Sequence, residues 1–184
     1  DLGGGLGIPY DPAAPLPPTP AAYGAMVRRG AGDWGVRLAF EPGRLIVGNA
    51  GILLTKVIRV KPGAVHPFII VDSAMNDLMR PSLYDAWHAI DAVEPRGERM
   101  VANVVGPVCE SGDTFATGRD MDRVEAEDLV FFRTAGAYAA TMASTYNSRP
   151  LTPEVLVDGD RWAVVRKRID VETLIQADSI PEWI

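Results

Sequence analysis

The sequence predicts a mainly β chain, in which residues 51–184 form an antiparallel β-barrel or sandwich and residues 1–50 carry short α/β units. Two observations predict it. From Ile52 onward, short apolar runs recur between turn residues, the pattern of an all-β domain. Before Ile52, two glycine-bearing turns each follow the end of an apolar stretch, and a helical pattern lies between them. With 47% hydrophobic residues in 184, the chain is too apolar for disorder and long enough to bury a core.

The elements follow in order. Asp1-Leu2-Gly3-Gly4-Gly5-Leu6-Gly7 reads as the end of a strand entering a glycine-rich turn with no strand body before it, so partner sequence is expected upstream. Six prolines between Pro9 and Pro20 impose an extended loop. Thr19-Pro20 is a helix start, a hydroxyl cap followed by proline at the first helical position, and the helix should run from Ala21 to Arg29 and stop at Gly30. Val36, Leu38 and Phe40 alternate with other residues as in a short strand, which ends at Glu41-Pro42-Gly43-Arg44; Leu45 to Gly51 suits one or two helical turns. Strands are then expected at 52–60, 68–71, 88–93, 99–105, 129–132, 155–157 and 162–167. Lys61-Pro62-Gly63, Glu94-Pro95-Arg96-Gly97 and Asp158-Gly159-Asp160 supply turns between them. The alanine-rich stretch 135–146 is read as a short helix, and Asp170 as the cap of a last one reaching Ile175.

Charge and cysteine content exclude several classes of function. A net charge of -6, with 24 acidic and 18 basic residues, argues against a nucleic-acid binder, and Arg166-Lys167-Arg168 is an isolated triplet. One cysteine and two histidines make neither an internal disulfide nor a closed zinc site. No apolar run approaches a membrane span, and a cytoplasmic location is expected.

Three clusters could carry chemistry. The Gly3-Gly4-Gly5 turn is either a plain chain reversal or an anion cradle, since glycine lets backbone amides approach a ligand. Cys109-Glu110-Ser111-Gly112-Asp113 holds either an inert thiol or a proton donor beside a carboxylate. Arg80-Pro81-Ser82-Leu83-Tyr84 is a surface ion pair with a packing tyrosine, or a carboxylate clamp. His66 and His88 lack partners at catalytic spacing and are read as structural.

In this order, GGGLGI at 3–8, EPGR at 41–44, DSAMNDLMRPSLY at 72–84, GPVCESGD at 106–113 and GAYAATMASTYNSRP at 136–150 make the chain resemble the C-terminal portion of the diaminopimelate decarboxylases, fold-type III pyridoxal-phosphate enzymes. The resemblance implies that residues 1–50 are the last βα units of an incomplete (β/α)8 barrel and that 51–184 are the C-terminal β domain. It implies that Gly4 and Gly5, with the amides of Gly43 and Arg44, hold the phosphate of pyridoxal 5'-phosphate, and that Glu41 pairs with its pyridine nitrogen. Arg44, Arg80, Tyr84 and Glu110 match substrate-binding positions, Tyr138 matches a tyrosine touching cofactor and substrate, and Cys109 matches a proton donor supplied across a homodimer interface. The implied reaction converts meso-2,6-diaminopimelate to L-lysine and CO2, in lysine biosynthesis. An ornithine- or arginine-type decarboxylase and a catalytically dead β binding module are the alternatives. The family's cofactor-bearing lysine has no counterpart, because Lys56, Lys61 and Lys167 stand in other contexts, so the chain alone is expected to be inactive.

Overall fold

The computed structural model describes all residues from Asp1 to Ile184. Helix α1 (Pro20–Ala31) begins as its sequence dictates, with the Thr19 side chain accepting a hydrogen bond from the Ala22 amide at 3.2 Å. It runs on through Gly30, because the Gly32 amide still reaches the Arg28 carbonyl at 3.1 Å. The alternating segment 36–40 does not become a strand. Only two backbone bonds join this region to the N-terminus, Leu2 N–H to Ala39 O at 3.0 Å and Glu41 N–H to Gly3 O at 2.9 Å, and two bonds do not make a ladder. Val36 and Phe40 accordingly stay exposed. Helix α2 (Gly43–Val47) and a 3-10 turn (Gly48–Ala50) follow.

A six-stranded sheet forms the body of the molecule. Its strands are β1 (Leu53–Lys61), β2 (Phe68–Val71), β3 (Ile90–Ala92), β4 (Arg99–Val105), β5 (Thr114–Asp122) and β6 (Leu129–Phe132), in the order β3-β6-β1-β2-β4-β5. All pairs are antiparallel except β2–β4, which pairs in parallel from Phe68↔Asn103 to Ile70↔Val105. That exception is possible because a long connection containing helix α3 (Arg80–Tyr84) and β3 separates the two strands. The outer strands approach each other where the Ala92 amide donates to Asp122 Oδ2 at 3.2 Å, so the sheet nearly closes into a barrel. Its inward side chains, among them Val57, Ile69, Val104, Val130 and the ring pair Phe115–Phe132 with centroids 4.6 Å apart, form one core.

Two departures from expectation have local causes. Strand β5 escapes the alternation rule because Phe115 and Ala116 are both buried and Gly118, at φ +57°, bulges; the Asn103 side chain takes the Gly118 amide at 2.9 Å. The stretch 135–146 is a series of turns rather than a helix. Ala135, Ala137 and Ala139 are buried on alternate positions, and Tyr138 sits at φ +66°, outside any helix. Beyond the barrel, β7 (Glu154–Asp158) and β8 (Arg161–Arg166) form a separate hairpin turned at Gly159, and Asp170 caps α4 (Val171–Ile175) through the Thr173 amide. Leu156, Val157 and Trp162 of the hairpin are exposed.

Candidate active site

The glycine-rich turn is shaped by contacts that only glycine tolerates. Gly3 and Gly5 lie at φ +69° and +86°, and a Cβ on Gly4 would stand 2.5 Å from the Glu41 carbonyl oxygen. Gly4 is thus pressed against the second turn. Between this loop and α1 opens a cavity of about 320 Å³, lined by Gly4, Gly5, Gly7, Tyr23 and Met26 among others. Glu41, Gly43 and Arg44 do not line it. The Gly43 amide turns back onto the Glu41 carbonyl at 2.8 Å.

A second cluster forms where residues 1–50 dock on the barrel. Ala135 N–H reaches Gly51 O at 2.8 Å and Gly136 N–H reaches Gly48 O at 3.0 Å. The backbones come this close because both faces are glycine: a Cβ on Gly51 would lie 2.6 Å from Gly136 Cα, and one on Gly136 would overlap the Val47 carbonyl. This docking brings Arg44 and Arg80 onto Tyr10, and Tyr138 onto Arg80. The Arg80 guanidinium stands 4.8 Å from the Tyr10 ring centroid and 5.6 Å from that of Tyr138, and Arg44 stands 6.0 Å from Tyr10. The His88 and Tyr10 rings stand nearly perpendicular with their centroids 5.1 Å apart. Burial holds the His88 imidazole below its ordinary pKa; the Arg133 carbonyl pulls the other way, and the neighbouring Arg80 and Arg119 cations lower it further.

The loop at 106–113 hangs on a buried carboxylate. Asp113 accepts from Met75 N–H at 2.6 Å and from Val108 N–H at 2.7 Å, and burial pushes its carboxyl pKa up. Ser82 of α3 donates to the Gly112 carbonyl. Glu110 accepts from the Gly112 amide at 3.1 Å and from the Tyr146 hydroxyl at 3.4 Å. Cys109 is a free, exposed thiol at the loop's tip, and Tyr84, at the end of α3, is 63% exposed.

A family model described as the C-terminal sheet domain of pyridoxal-dependent decarboxylase matches residues 10–136. The chain belongs to the pyridoxal-dependent decarboxylase family. The match crosses position 50 without a break. Among relatives in this decarboxylase family, diaminopimelate decarboxylase of Zymomonas mobilis is 53% identical over the whole chain, which covers 44% of that protein. The diaminopimelate decarboxylase of Helicobacter pylori, solved in complex with L-lysine, superposes with a TM-score of 0.87 at 38% identity, covering 95% of this chain and 43% of that one. A lysine/ornithine decarboxylase from Vibrio vulnificus shares the fold alone, with a TM-score of 0.67 at 23% identity over 79% of this chain and 39% of that one. The chain therefore spans less than half the length of the diaminopimelate decarboxylases it matches.

Of the residues singled out in the sequence, the structure brings Gly4 against the Glu41 backbone, Arg44 and Arg80 to Tyr10, and Tyr138 to Arg80. Cys109, Glu110 and Tyr84 have no hydrogen bond or ring contact with either group; the bonds of their loop run to Met75, Ser82 and Tyr146. Tyr10, His88 and Tyr146 were not singled out as site residues. Tyr10 lies in a proline-rich loop and Tyr146 in a run of small residues, and only the tertiary contacts mark them.

Proposed function

We propose that these residues form the C-terminal part of a meso-2,6-diaminopimelate decarboxylase that makes L-lysine and CO2. In this reading residues 1–50 are the end of the cofactor-binding (β/α)8 barrel and 51–184 the C-terminal β domain. The observation that carries it is the docking of the two parts, which gathers two guanidinium groups on Tyr10 and sets one of them on Tyr138, while the glycine loop is pressed against the backbone of Glu41. The likeness to diaminopimelate decarboxylases along the full chain supports the choice of substrate.

The residues fit pyridoxal 5'-phosphate. Gly4 has no room for a side chain, Gly3 and Gly5 take left-handed backbone, and such a loop presents amides to a phosphate. Gly4, Gly5 and the Arg44 amide are the donors in this reading; the Gly43 amide joins only if its turn onto Glu41 opens. Glu41 follows as the carboxylate for the pyridine nitrogen. The lysine that bonds the cofactor lies outside these residues, since Lys56 is tied to Glu127 at 2.9 Å and Lys61 and Lys167 lie far along the chain from the glycine loop. Bound pyridoxal phosphate supplies the electron sink that makes loss of CO2 feasible.

The protein groups do the rest. Arg44 and Arg80 bind substrate carboxylate, with Tyr84 completing the clamp, and Tyr138 packs against cofactor and substrate. Glu110 binds the cationic amino group at the distal end, which an ornithine-type substrate presents without its carboxylate. Cys109 Sγ delivers the proton that replaces CO2. The exposed thiol and the exposed apolar hairpin support a homodimer in which this loop enters the neighbouring subunit's site. No helix is long and apolar enough to cross a membrane, and the enzyme is proposed to be cytoplasmic.

The test is CO2 release by the complete enzyme from meso-diaminopimelate, ornithine and arginine. Turnover of the first alone, or far above the others, is the expected result. Turnover of ornithine or arginine only would replace the proposed substrate.

A further inference from the structure

His88 is 2% exposed and has no role in the site as assigned so far. Its Nδ1 lies 2.9 Å from the Arg133 carbonyl oxygen, which can only accept, so Nδ1 carries the hydrogen and the neutral ring keeps a lone pair on Nε2. That lone pair meets Arg80 Nη1 at 3.5 Å. The same guanidinium lies between the Tyr10 and Tyr138 rings, at 4.8 and 5.6 Å. Two aromatic faces limit the tilt of the planar group, and a single acceptor at its end limits its rotation. A guanidinium binds a carboxylate through two parallel bonds only when its fork is aimed correctly.

We propose that His88 is a positioning residue for Arg80, holding the guanidinium at the angle from which it binds substrate carboxylate. This rests on the reading of Arg80 as a substrate-binding residue. The surroundings make the device sensitive to pH. Two cations on different elements act on the ring: Arg80 of α3, and Arg119 of β5, whose Nη1 donates to the His88 carbonyl at 2.6 Å. The Arg133 side chain is drawn away to Asp91 at 2.6 Å, and Asp11 acts on Arg119 rather than on the ring. Protonating Nε2 removes the acceptor and adds a positive charge beside Arg80. Burial holds the ring neutral down to a pH below its ordinary value of 6.5, so Arg80 is released only on the acid side of that value.

The test is steady-state kinetics of the complete enzyme on meso-diaminopimelate with His88→Asn, His88→Gln and Arg80→Ala. Asparagine keeps a donor for the Arg133 carbonyl but offers Arg80 no acceptor; glutamine carries its amide oxygen out to the place of Nε2. Loss of one bond to a charged group predicts about a tenfold rise in KM for His88→Asn with kcat within about twofold, and near-normal KM for His88→Gln. Wild-type KM rises as the pH falls below 6.5, whereas that of His88→Gln stays level. If Arg80→Ala raises KM but His88→Asn does not, the positioning role is overturned while the binding role of Arg80 stands. If neither raises it, both fall. Equal impairment of the two His88 variants with unchanged pH dependence reduces His88 to a packing residue and overturns the proposal. Should His88→Asn fail to fold, His88→Gln decides: a KM raised as far as that of Arg80→Ala overturns the proposal.

Discussion

A methyl group on Gly136 would overlap the Val47 carbonyl oxygen, with the Gly51 amide nitrogen 2.8 Å away. Neither neighbour is a flexible side chain that could give way. Gly136→Ala is therefore expected to lower stability by about 2 kcal/mol or more, read from urea unfolding. Gly97→Ala is the control: it meets φ +80° but open space, and should cost about 1 kcal/mol. The same junction holds His88, whose folded-state pKa is depressed by burial. A depressed imidazole contributes stability that is complete above the unfolded value of 6.5 and is lost as pH falls through the lower folded value. The urea midpoint of the wild type should thus drop on acidification below 6.5, and that drop should shrink in His88→Gln.

At the scale of elements, the loop at 106–113 depends on Asp113, whose two oxygens each take a backbone amide. Asp113→Asn turns one acceptor into a donor facing an N–H group, at a cost of about 2 kcal/mol. Hydrogen exchange should show faster exchange at Met75 or Val108, together with loosening around Cys109. Unchanged protection at both amides would contradict this account of the loop. Strand β5 shows where sequence patterning fails. The runs that became β1, β2, β4 and β6 were legible because apolar residues alternate or cluster there, but β5 hides its pattern behind a bulge at Gly118 and the charged pairs that Arg99 makes with Asp120 and Asp122. The alanines at 135–139 misled in the opposite sense. Helix propensity is a weak prior, and here small side chains serve close packing against Gly48 and Gly51. Of the candidate site, Glu41, Arg44, Arg80, Cys109, Glu110 and Tyr138 were given their roles only through the family resemblance that their motifs carry. Tyr10 and His88 were not, since their part consists of contacts between segments remote in sequence.

For the whole molecule, the chain presents two groups of candidate residues that no hydrogen bond or ring contact joins directly. One comprises Gly4 and Glu41 with Arg44, Arg80 and Tyr138 near the junction of its two parts; the other holds Cys109 and Glu110 on a loop that Ser82 ties to α3, the helix carrying Arg80. The proposed homodimer, in which each subunit lends its loop to its neighbour, would account for both. The exposed apolar hairpin of β7 and β8 and the exposed Val36 and Phe40 are then surface awaiting cover by other parts of the assembly. The most direct measurement mixes two inactive forms of the complete enzyme, Glu41→Ala and Cys109→Ala, after dissociation and reassociation. Half of the dimers formed at equal ratio are mixed, each with one unmutated site, so about a quarter of wild-type CO2 release from meso-diaminopimelate should return. No recovery, with subunit exchange demonstrated by mass, would contradict the shared site and place Cys109 outside the chemistry assigned to it.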